Sequence, residues 1–175
     1  VYYSGHGQMD TLDNHYLNFD PQVTNDMVPR GDLAEILENK QCRLKMLITD
    51  TCSNRVETPL DVAQSYAGVA SRQRRYTRDL FLEHEGLLDI TTASPGELAW
   101  GNYKIGGYLT SSLIEAFSGS SDQDEDGFLS WEEVFAATYA GTQEYFAQTT
   151  FRSADKRKME SNKQTSQTPV RHSLP

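Results

Sequence analysis

Cysteine is scarce in this sequence: Cys42 and Cys52 are the only two among 175 residues. Two thiols do not make the disulfide framework on which small secreted domains depend. The scarcity therefore favours a reducing, cytoplasmic compartment, in which at least one thiol is free for chemistry. A single disulfide between the two cysteines is the alternative that the sequence leaves open.

Positive charge and long apolar runs are also in short supply. The chain has 16 Lys and Arg residues against 25 Asp and Glu residues, a formal net charge of −9. This balance argues against nucleic acid and an anionic membrane as partners, because both repel an acidic chain. It suits a cationic substrate or a bound cation. No apolar run approaches the roughly 20 residues of a membrane span. The chain starts at Val1 inside an apolar stretch, so we expect it to be processed or truncated.

The first apolar stretch, at residues 1–4, predicts a strand that ends in the glycine-rich turn Gly5-His6-Gly7. The polar residues 8–28 predict a long surface loop, and helical spacing follows at residues 33–37. With 37% hydrophobic residues, the chain has enough apolar material for the core of one domain.

A second, near-continuous apolar run, Leu44–Thr49, predicts a strand that is buried on both faces. Strand, helix and strand in this order form a βαβ unit, whose two strands are parallel neighbours. His6 and Cys52 each follow one of these strands. Because parallel strands end at the same edge of a sheet, the sequence predicts that the two residues lie together there.

The rest of the chain predicts a third strand, two helices and a polar end. Leu87–Thr92 has the pattern of the strand, whereas residues 108–117 and about 131–147 have helical patterns. Residues 151–175 are a polar C-terminal segment, and for residues 152–168 within it we expect a loop or a loosely held tail.

Several of these segments resemble the caspase family of cysteine peptidases. The segments Tyr2–Gly7 and Leu47–Ser53 carry the resemblance most clearly, and Asp50, two residues before the cysteine, is most similar to the metacaspase-like bacterial branch. Thr92–Ala99 resembles the family's substrate-pocket strand, and Gly106–Phe117 resembles its late helix. The resemblance implies a three-layer αβα fold with a mostly parallel sheet over residues 1–150. It also implies that strands which precede the histidine strand are missing from this chain.

The resemblance further implies a cysteine endopeptidase that acts on a peptide or protein substrate. Thiol-dependent amide hydrolysis needs a thiolate nucleophile and an acid that protonates the leaving amine, which are the roles expected of Cys52 and His6. The backbone N–H groups of Gly7 and Cys52 are expected to stabilise the oxyanion. The alternative is an inactive relative that acts as a calcium-dependent interaction module. A calcium-binding structural domain, in which the pair is incidental, is a second alternative. The sequence does not predict an oligomeric state.

Substrate preference is predicted from Asp50. In metacaspase-like relatives the matching carboxylate pairs with Arg or Lys of the substrate, so the resemblance implies basic specificity. The alternative is that Asp50 only caps the turn after its strand. Ser94 and Glu97 are further substrate-binding candidates from the resemblance. The basic stretch Ser71–Tyr76 is a candidate for self-cleavage, with a solvated charged loop as its alternative.

The segment 122–133 matches the 12-residue EF-hand loop at each diagnostic position. Calcium prefers six to eight oxygen ligands, and Gly127 permits the sharp bend that such a loop needs at its sixth position. Leu129 is expected to pack inward. The predicted ligands are the carboxylates of Asp122, Asp124, Asp126 and Glu133, the backbone carbonyl of Phe128 and, through a water molecule, the hydroxyl of Ser130. A helix-capping acidic loop that binds no metal is the alternative.

Overall fold

The structure is a computed structural model that describes residues 1–20, 27–52, 80–102, 105–117, 121–149, 151, 153–161 and 163–173. Its strands are β1 Tyr2–Met9, β2 His15–Asn18, β3 Met27–Pro29, β4 Leu44–Thr51, β5 Gly86–Thr91, β6 Gly101–Asn102, β7 Gly106–Gly107 and β8 Val170–Ser173. Its helices are α1 Arg30–Glu38, α2 Tyr108–Ala116, α3 Trp131–Gln148 and α4 Ser153–Ser161.

Six of these strands form one sheet in the order β3-β2-β1-β4-β5-β8, and β6 pairs with β7 separately. The three central strands β1, β4 and β5 are parallel, as the βαβ pattern predicts. Strands β2, β3 and β8 join the sheet in antiparallel pairs. The sheet is therefore mixed, with its parallel part in the middle and antiparallel strands on both sides.

The expected surface loop over residues 8–28 is wrong for much of its length. Strand β1 does not end at Gly5 but continues through His6 to Met9, and there it pairs with β2 instead of β4. Strand β2 returns antiparallel, and its Leu17 is completely buried. This short hairpin is stabilised by the burial of Leu17 and by ladder bonds to β1, and neither gives a local apolar pattern long enough to recognise.

Helices cover both faces of the sheet, which gives the expected three layers. On one face, Ile48 and Ile90 of the central strands form the main core with Leu109 of α2 and Val134 of α3. On the other face, α1 packs against β4 and β5. There the buried Arg30 donates to Thr49 Oγ1 at 3.0 Å and forms an ion pair with Asp89.

The expectation of a loosely held C-terminal tail is also wrong. Residues after 150 contain α4 and β8, and β8 extends the sheet beside β5. Between these elements, Gln164 and Gln167 are 7% and 0% exposed. The segment is polar in composition because it is held by buried side-chain amides instead of apolar contacts. Among the described residues, no helix is both long and apolar enough to span a membrane.

Candidate active site and calcium loop

His6 and Cys52 follow the last parallel pair of the two neighbouring strands that carry them. Strands β1 and β4 pair from Tyr2 opposite Ile48 to Gly5 opposite Thr51. The next residue is His6 on β1, and on the other side it is Cys52, directly after the end of β4. The structure therefore brings both residues to one end of the parallel part of the sheet.

Both residues also belong to the sheet face that looks toward α2. The hydroxyl of Tyr2 and a carboxylate oxygen of Asp50 lie 2.8 Å and 2.6 Å from the hydroxyl of Thr110, which is on α2. Successive side chains of a strand alternate between faces, so residues two or four positions apart share one. His6 lies four residues after Tyr2 and Cys52 two after Asp50, which assigns both to this face.

The thiol of Cys52 is partly buried. Its Sγ atom is 3.8 Å from the backbone oxygen of Ala99. Burial raises the pKa of the Cys52 thiol, and the negative charge of Asp50 raises it further, whereas the Ala99 contact and the charge of Lys158 act in the opposite direction. The thiol form therefore predominates in the resting protein.

Gly7 lies against Thr51 and the backbone of Cys52. A Cβ atom at this position would come within 2.7 Å of Thr51 Oγ1 and 2.8 Å of the Cys52 carbonyl oxygen. Real Cβ atoms do not approach so closely, so only glycine allows β1 to lie this near to Cys52. The oxyanion role that the sequence predicts for the backbone at Gly7 stays a prediction.

Asp50 is 4% exposed and points at the first turn of α2. Its Oδ2 atom accepts hydrogen bonds from the backbone N–H and the hydroxyl of Thr110, at 3.1 Å and 2.6 Å. The N-cap residue of α2, Gly107, has no side chain to cap the helix, and a Cβ there would overlap Asp50 Oδ2. Asp50 thus caps a helix that is distant in sequence, whereas the turn that follows β4 lies outside the described residues. Burial raises the pKa of the Asp50 carboxyl, although hydrogen bonds from Thr110 and Thr92 oppose this shift.

Ser94 and Glu97 contact the C-terminal segment of the chain. One carboxylate oxygen of Glu97 accepts from the backbone N–H groups of Ser94 and Thr168, at 3.1 Å and 2.7 Å. The other accepts from the hydroxyl of Thr168 at 2.9 Å. The hydroxyl of Ser94 donates to the Thr168 carbonyl at 3.2 Å. In this structure both candidate residues therefore hold the segment before β8.

Two glutamines of that segment pair with the backbone on either side of Ala99, which contacts Cys52. The amide of Gln164 donates to the carbonyl of Leu98 at 2.9 Å and accepts from its N–H at 3.1 Å. Gln167 accepts from the N–H of Trp100 at 2.7 Å. Ala99 lies between Leu98 and Trp100 in the sequence. Sequence reasoning missed both glutamines, because a buried amide in a polar stretch leaves no periodic pattern.

Sequence reasoning also assigned no role to His15, which contacts the backbone of Cys52 from β2. The self-cleavage candidate at 71–76 lies outside the described residues.

Comparison with known proteins agrees with this arrangement. The family model described as Caspase domain matches residues 1–173. The chain belongs to the caspase-domain family. A search of the curated proteins finds no match, whereas 95 chains of solved structures match. One is the crystal structure of caspase-1 from Spodoptera frugiperda, with a TM-score of 0.60 and 13% sequence identity. The match covers 99% of this chain and 60% of that chain, and at this identity it shows the fold alone.

The acidic loop of this caspase domain gathers carboxylates around one point. Oxygen atoms of Asp122, Asp124 and Asp126 lie within 4.8 Å of one another. The Oδ1 atom of Asp122 is buried and has no hydrogen-bond partner. Gly127 has a φ of +86°, as the expected bend requires, and Leu129 is 2% exposed, as expected for the inward-packing position. A buried carboxylate oxygen without a donor fits a hard cation, so these residues suit calcium.

The last two predicted calcium ligands form the cap of α3. Ser130 and Glu133 make a reciprocal capping box, in which the Glu133 backbone donates to the Ser130 hydroxyl at 3.2 Å. The carboxylate of Glu133 also accepts from the N–H of Gln123 at 2.8 Å, which ties the two ends of the loop together. Donation from the Ser130 backbone is the largest of the effects that lower the pKa of Glu133. Its carboxylate is thus charged and lies at the loop.

Proposed function

We propose that this caspase domain is a cysteine endopeptidase that uses Cys52 and His6, cleaves after Arg or Lys, and binds calcium through residues 122–133. The observation that carries the proposal is the placement of His6 and Cys52 directly after the last parallel pair of β1 and β4, on one face of the sheet. Membership of the caspase-domain family supports the same reaction class.

The reaction divides amide hydrolysis into two steps. Cys52 transfers its proton to His6, and the thiolate attacks the scissile carbonyl carbon. The C–N bond then breaks, His6 protonates the leaving amine, and the acyl group remains on sulfur as a thioester. Water, deprotonated by His6, attacks the thioester carbonyl; the C–S bond breaks, the carboxylic acid product leaves, and His6 returns the proton to the sulfur. Backbone N–H groups of Gly7 and Cys52 stabilise the oxyanion in both steps, an effect worth about 3–4 kcal/mol for a preorganised donor.

Basic specificity is supported by the surroundings of Asp50. Among the described residues, no cationic side chain forms an ion pair with the buried Asp50, whereas Arg30 pairs with Asp89. A buried carboxylate without a cationic partner is costly, and a substrate guanidinium or ammonium group offsets that cost. Asp50 is also close enough to Cys52 for its charge to act on the thiol. The net charge of −9 favours the approach of a cationic peptide.

Calcium binding is supported by the three clustered carboxylates and by the unpaired buried oxygen of Asp122. The residues that would hold the ion are the carboxylates of Asp122, Asp124, Asp126 and Glu133, the carbonyl of Phe128 and, through water, Ser130. Bound calcium would supply positive charge that cancels the repulsion among these carboxylates. The loop would then fix α2 relative to α3.

The proposal is tested with peptides that carry a fluorogenic leaving group after Arg, Lys or Asp. Wild-type protein is expected to cleave after Arg or Lys, and Cys52→Ala and His6→Ala are each expected to lower kcat at least about 1,000-fold. Cleavage after Asp would overturn the assigned specificity. No turnover, combined with no selective labelling of Cys52 by a peptidyl electrophile, would favour the inactive interaction module.

A further inference from the structure

The ring of His15 contacts the residue of the nucleophile through its backbone. His15 is the first residue of β2 and lies opposite Met9 of β1. Its Nε2 atom is 2.9 Å from the carbonyl oxygen of Cys52 and 3.0 Å from the hydroxyl oxygen of Thr51. Met9 lies three residues after His6, and Thr51 lies one residue before Cys52. Met9 and Thr51 therefore belong to the sheet face opposite to that of His6 and Cys52. His15 therefore approaches the Cys52 backbone from the face of the sheet opposite to His6.

The chemistry of the contact determines which nitrogen of His15 carries the proton. A backbone carbonyl only accepts hydrogen bonds, so Nε2 must donate to Cys52. Burial lowers the pKa of His15 to about 4, and the nearby charges of Arg30 on α1 and His172 on β8 act in the same direction, against the contact with Cys52. At neutral pH the ring is therefore neutral, with its proton on Nε2 and a lone pair on Nδ1.

The carbonyl of Cys52 lies where the regular ladder stops. Strand β4 ends at Thr51, and from His6 onward β1 pairs with β2. The His15 ring is the hydrogen-bond partner that the described structure provides for this carbonyl. Strand β1 also lies close to this carbonyl at Gly7, because a Cβ added there would be 2.8 Å from the carbonyl oxygen. The peptide after the nucleophile is thus held between β1 and the His15 ring.

We infer that His15 is a positioning residue for the nucleophile: its Nε2–H group holds the Cys52 carbonyl and thereby fixes the direction of the Cys52 side chain. Strand β4 fixes the peptide before Cys52, and His15 fixes the peptide after it. Together they set the orientation of the Cα–Cβ bond that carries the sulfur. This role rests on the proposed peptidase function, and it requires no contact between His15 and the substrate.

The test compares three substitutions that differ in where they place a donor. In His15→Gln, the side-chain amide nitrogen lies near the position of Nε2 of the histidine ring. In His15→Asn, it lies near the position of Nδ1. The side chain in His15→Leu has no hydrogen-bond donor. We expect the Asn and Leu variants to lose about 10- to 100-fold in kcat with KM unchanged, because misplacement of a reacting group by about 1 Å has effects of this size. The Gln variant is expected to stay within about fivefold of wild type. Leu12→Ala is the matched control, since Leu12 is 81% exposed in the same hairpin.

A second measurement separates positioning from folding. Nitrogen-15 NMR of the wild-type protein labelled at histidine is expected to show His15 neutral, with the proton on Nε2, between pH 5 and 8. Thermal unfolding of each variant shows whether it is folded. A Gln variant that is folded but as slow as the Leu variant would overturn the inference, and so would a His15 proton on Nδ1. In either case, activity of the wild-type protein would leave the peptidase function intact. A wild-type chain without any Cys52-dependent turnover would instead overturn the peptidase function and the inference with it.

Discussion

The Sγ atom of Cys52 lies 3.8 Å from the backbone oxygen of Ala99, so the segment between β5 and β6 passes directly beside the thiol. Gln164 and Gln167 bind the neighbouring backbone groups of Leu98 and Trp100. Cys52 is therefore partly covered by the protein's own chain. Burial raises its pKa, and this separates Cys52 chemically from the exposed Cys42.

The first prediction concerns the pH dependence of thiol reactivity. Because the pKa of Cys52 is raised, the thiolate fraction at neutral pH is smaller than for an ordinary cysteine, and alkylation accelerates only at higher pH. Iodoacetamide is expected to modify Cys52 with a midpoint above the usual value of about 8.5. The measurement uses Cys42→Ser and Cys52→Ser, each of which leaves one thiol, and mass spectrometry follows the reaction.

The exposed Cys42 is the internal control for this experiment. At pH 7 it is expected to react with iodoacetamide faster than Cys52. A peptidyl electrophile with Arg before its reactive group is expected to reverse that order, because binding brings it to the nucleophile. An alkylation midpoint below pH 7 for Cys52 would contradict the raised pKa that burial gives this thiol.

The second prediction distinguishes the charge of Asp50 from its role as a cap. Asp50→Asn keeps the shape but removes the charge, and we expect kcat/KM for peptides with Arg at the cleaved bond to fall about 10- to 100-fold, since a charge-assisted hydrogen bond contributes about 1.5–3 kcal/mol. Thr110→Val is the matched variant. It keeps the charge but removes the hydroxyl that donates to Asp50 at 2.6 Å.

We expect Thr110→Val to lower the free energy of unfolding by about 1–3 kcal/mol while the preference for Arg remains, because a buried carboxylate loses one donor. Urea unfolding and peptide kinetics measure the two effects separately. If Asp50→Asn were as unstable as Thr110→Val but kept full activity toward Arg peptides, Asp50 would be a helix cap only.

The central part of the fold was predictable because its signals are local. The run Leu44–Thr49 is mostly apolar since the second half of β4 is buried in the middle of the sheet. The βαβ order determines which strand lies beside it. The hairpin β1–β2 was not predictable in this way. Leu17 is the one fully buried residue of β2, and one buried position in a strand of four residues has no recognisable period.

The candidate site was predictable to the extent that it follows the end of the parallel pairing between β1 and β4, although His6 itself lies within β1. His6 and Cys52 are recognised from their places after two apolar runs, and Gly7 from its neighbour. The partners of Glu97 and Gln164 were not predictable, because they are hydrogen bonds between side chains and backbone groups more than 60 residues apart. Such bonds depend on where the chain returns, and composition alone suggests a solvated tail.

The third prediction tests whether Glu97 serves the C-terminal segment or the substrate. Glu97→Ala removes the acceptors for the backbone and hydroxyl of Thr168. We expect hydrogen exchange at the Thr168 amide to accelerate about 10- to 100-fold, which corresponds to the loss of about 1.4–2.8 kcal/mol of local stability. The exposed Glu85 provides the control, as Glu85→Ala. An unchanged exchange rate with a raised KM for cationic peptides would assign Glu97 to substrate binding instead.

The fourth prediction concerns the buried pair of Arg30 and Asp89, which joins α1 to the sheet. Each residue is 6% exposed, and Arg30 also donates to Thr49 at 3.0 Å. Asp89→Ala leaves the guanidinium buried without its anion, so we expect a loss of about 3–5 kcal/mol in the free energy of unfolding. The double variant Arg30→Met/Asp89→Leu is expected to be less destabilised than this single variant. A loss below about 1 kcal/mol for Asp89→Ala would mean that water or another group replaces the pair.

The last prediction concerns calcium and the stability of the loop 122–133. Carboxylates whose oxygens lie within 4.8 Å of one another repel in the absence of a cation, and a ligand that binds only the folded state stabilises it. At a calcium concentration about 100 times the dissociation constant, the gain is about 2.7 kcal/mol. For a chain of this size we expect a rise in Tm of about 5–10 °C relative to a chelator.

Two matched variants separate binding from general acidity in this loop. Asp122→Asn removes one charge from the cluster and from the buried oxygen that lacks a partner, so the calcium-dependent shift in Tm should shrink or vanish. Glu132→Gln removes one charge from an exposed neighbour outside the predicted ligands, so its shift should match wild type. Calorimetric titration with calcium gives the stoichiometry, for which we expect one ion per chain. Equal shifts in both variants would mean that calcium only screens the acidic surface, and the loop would then act as the cap of α3 alone.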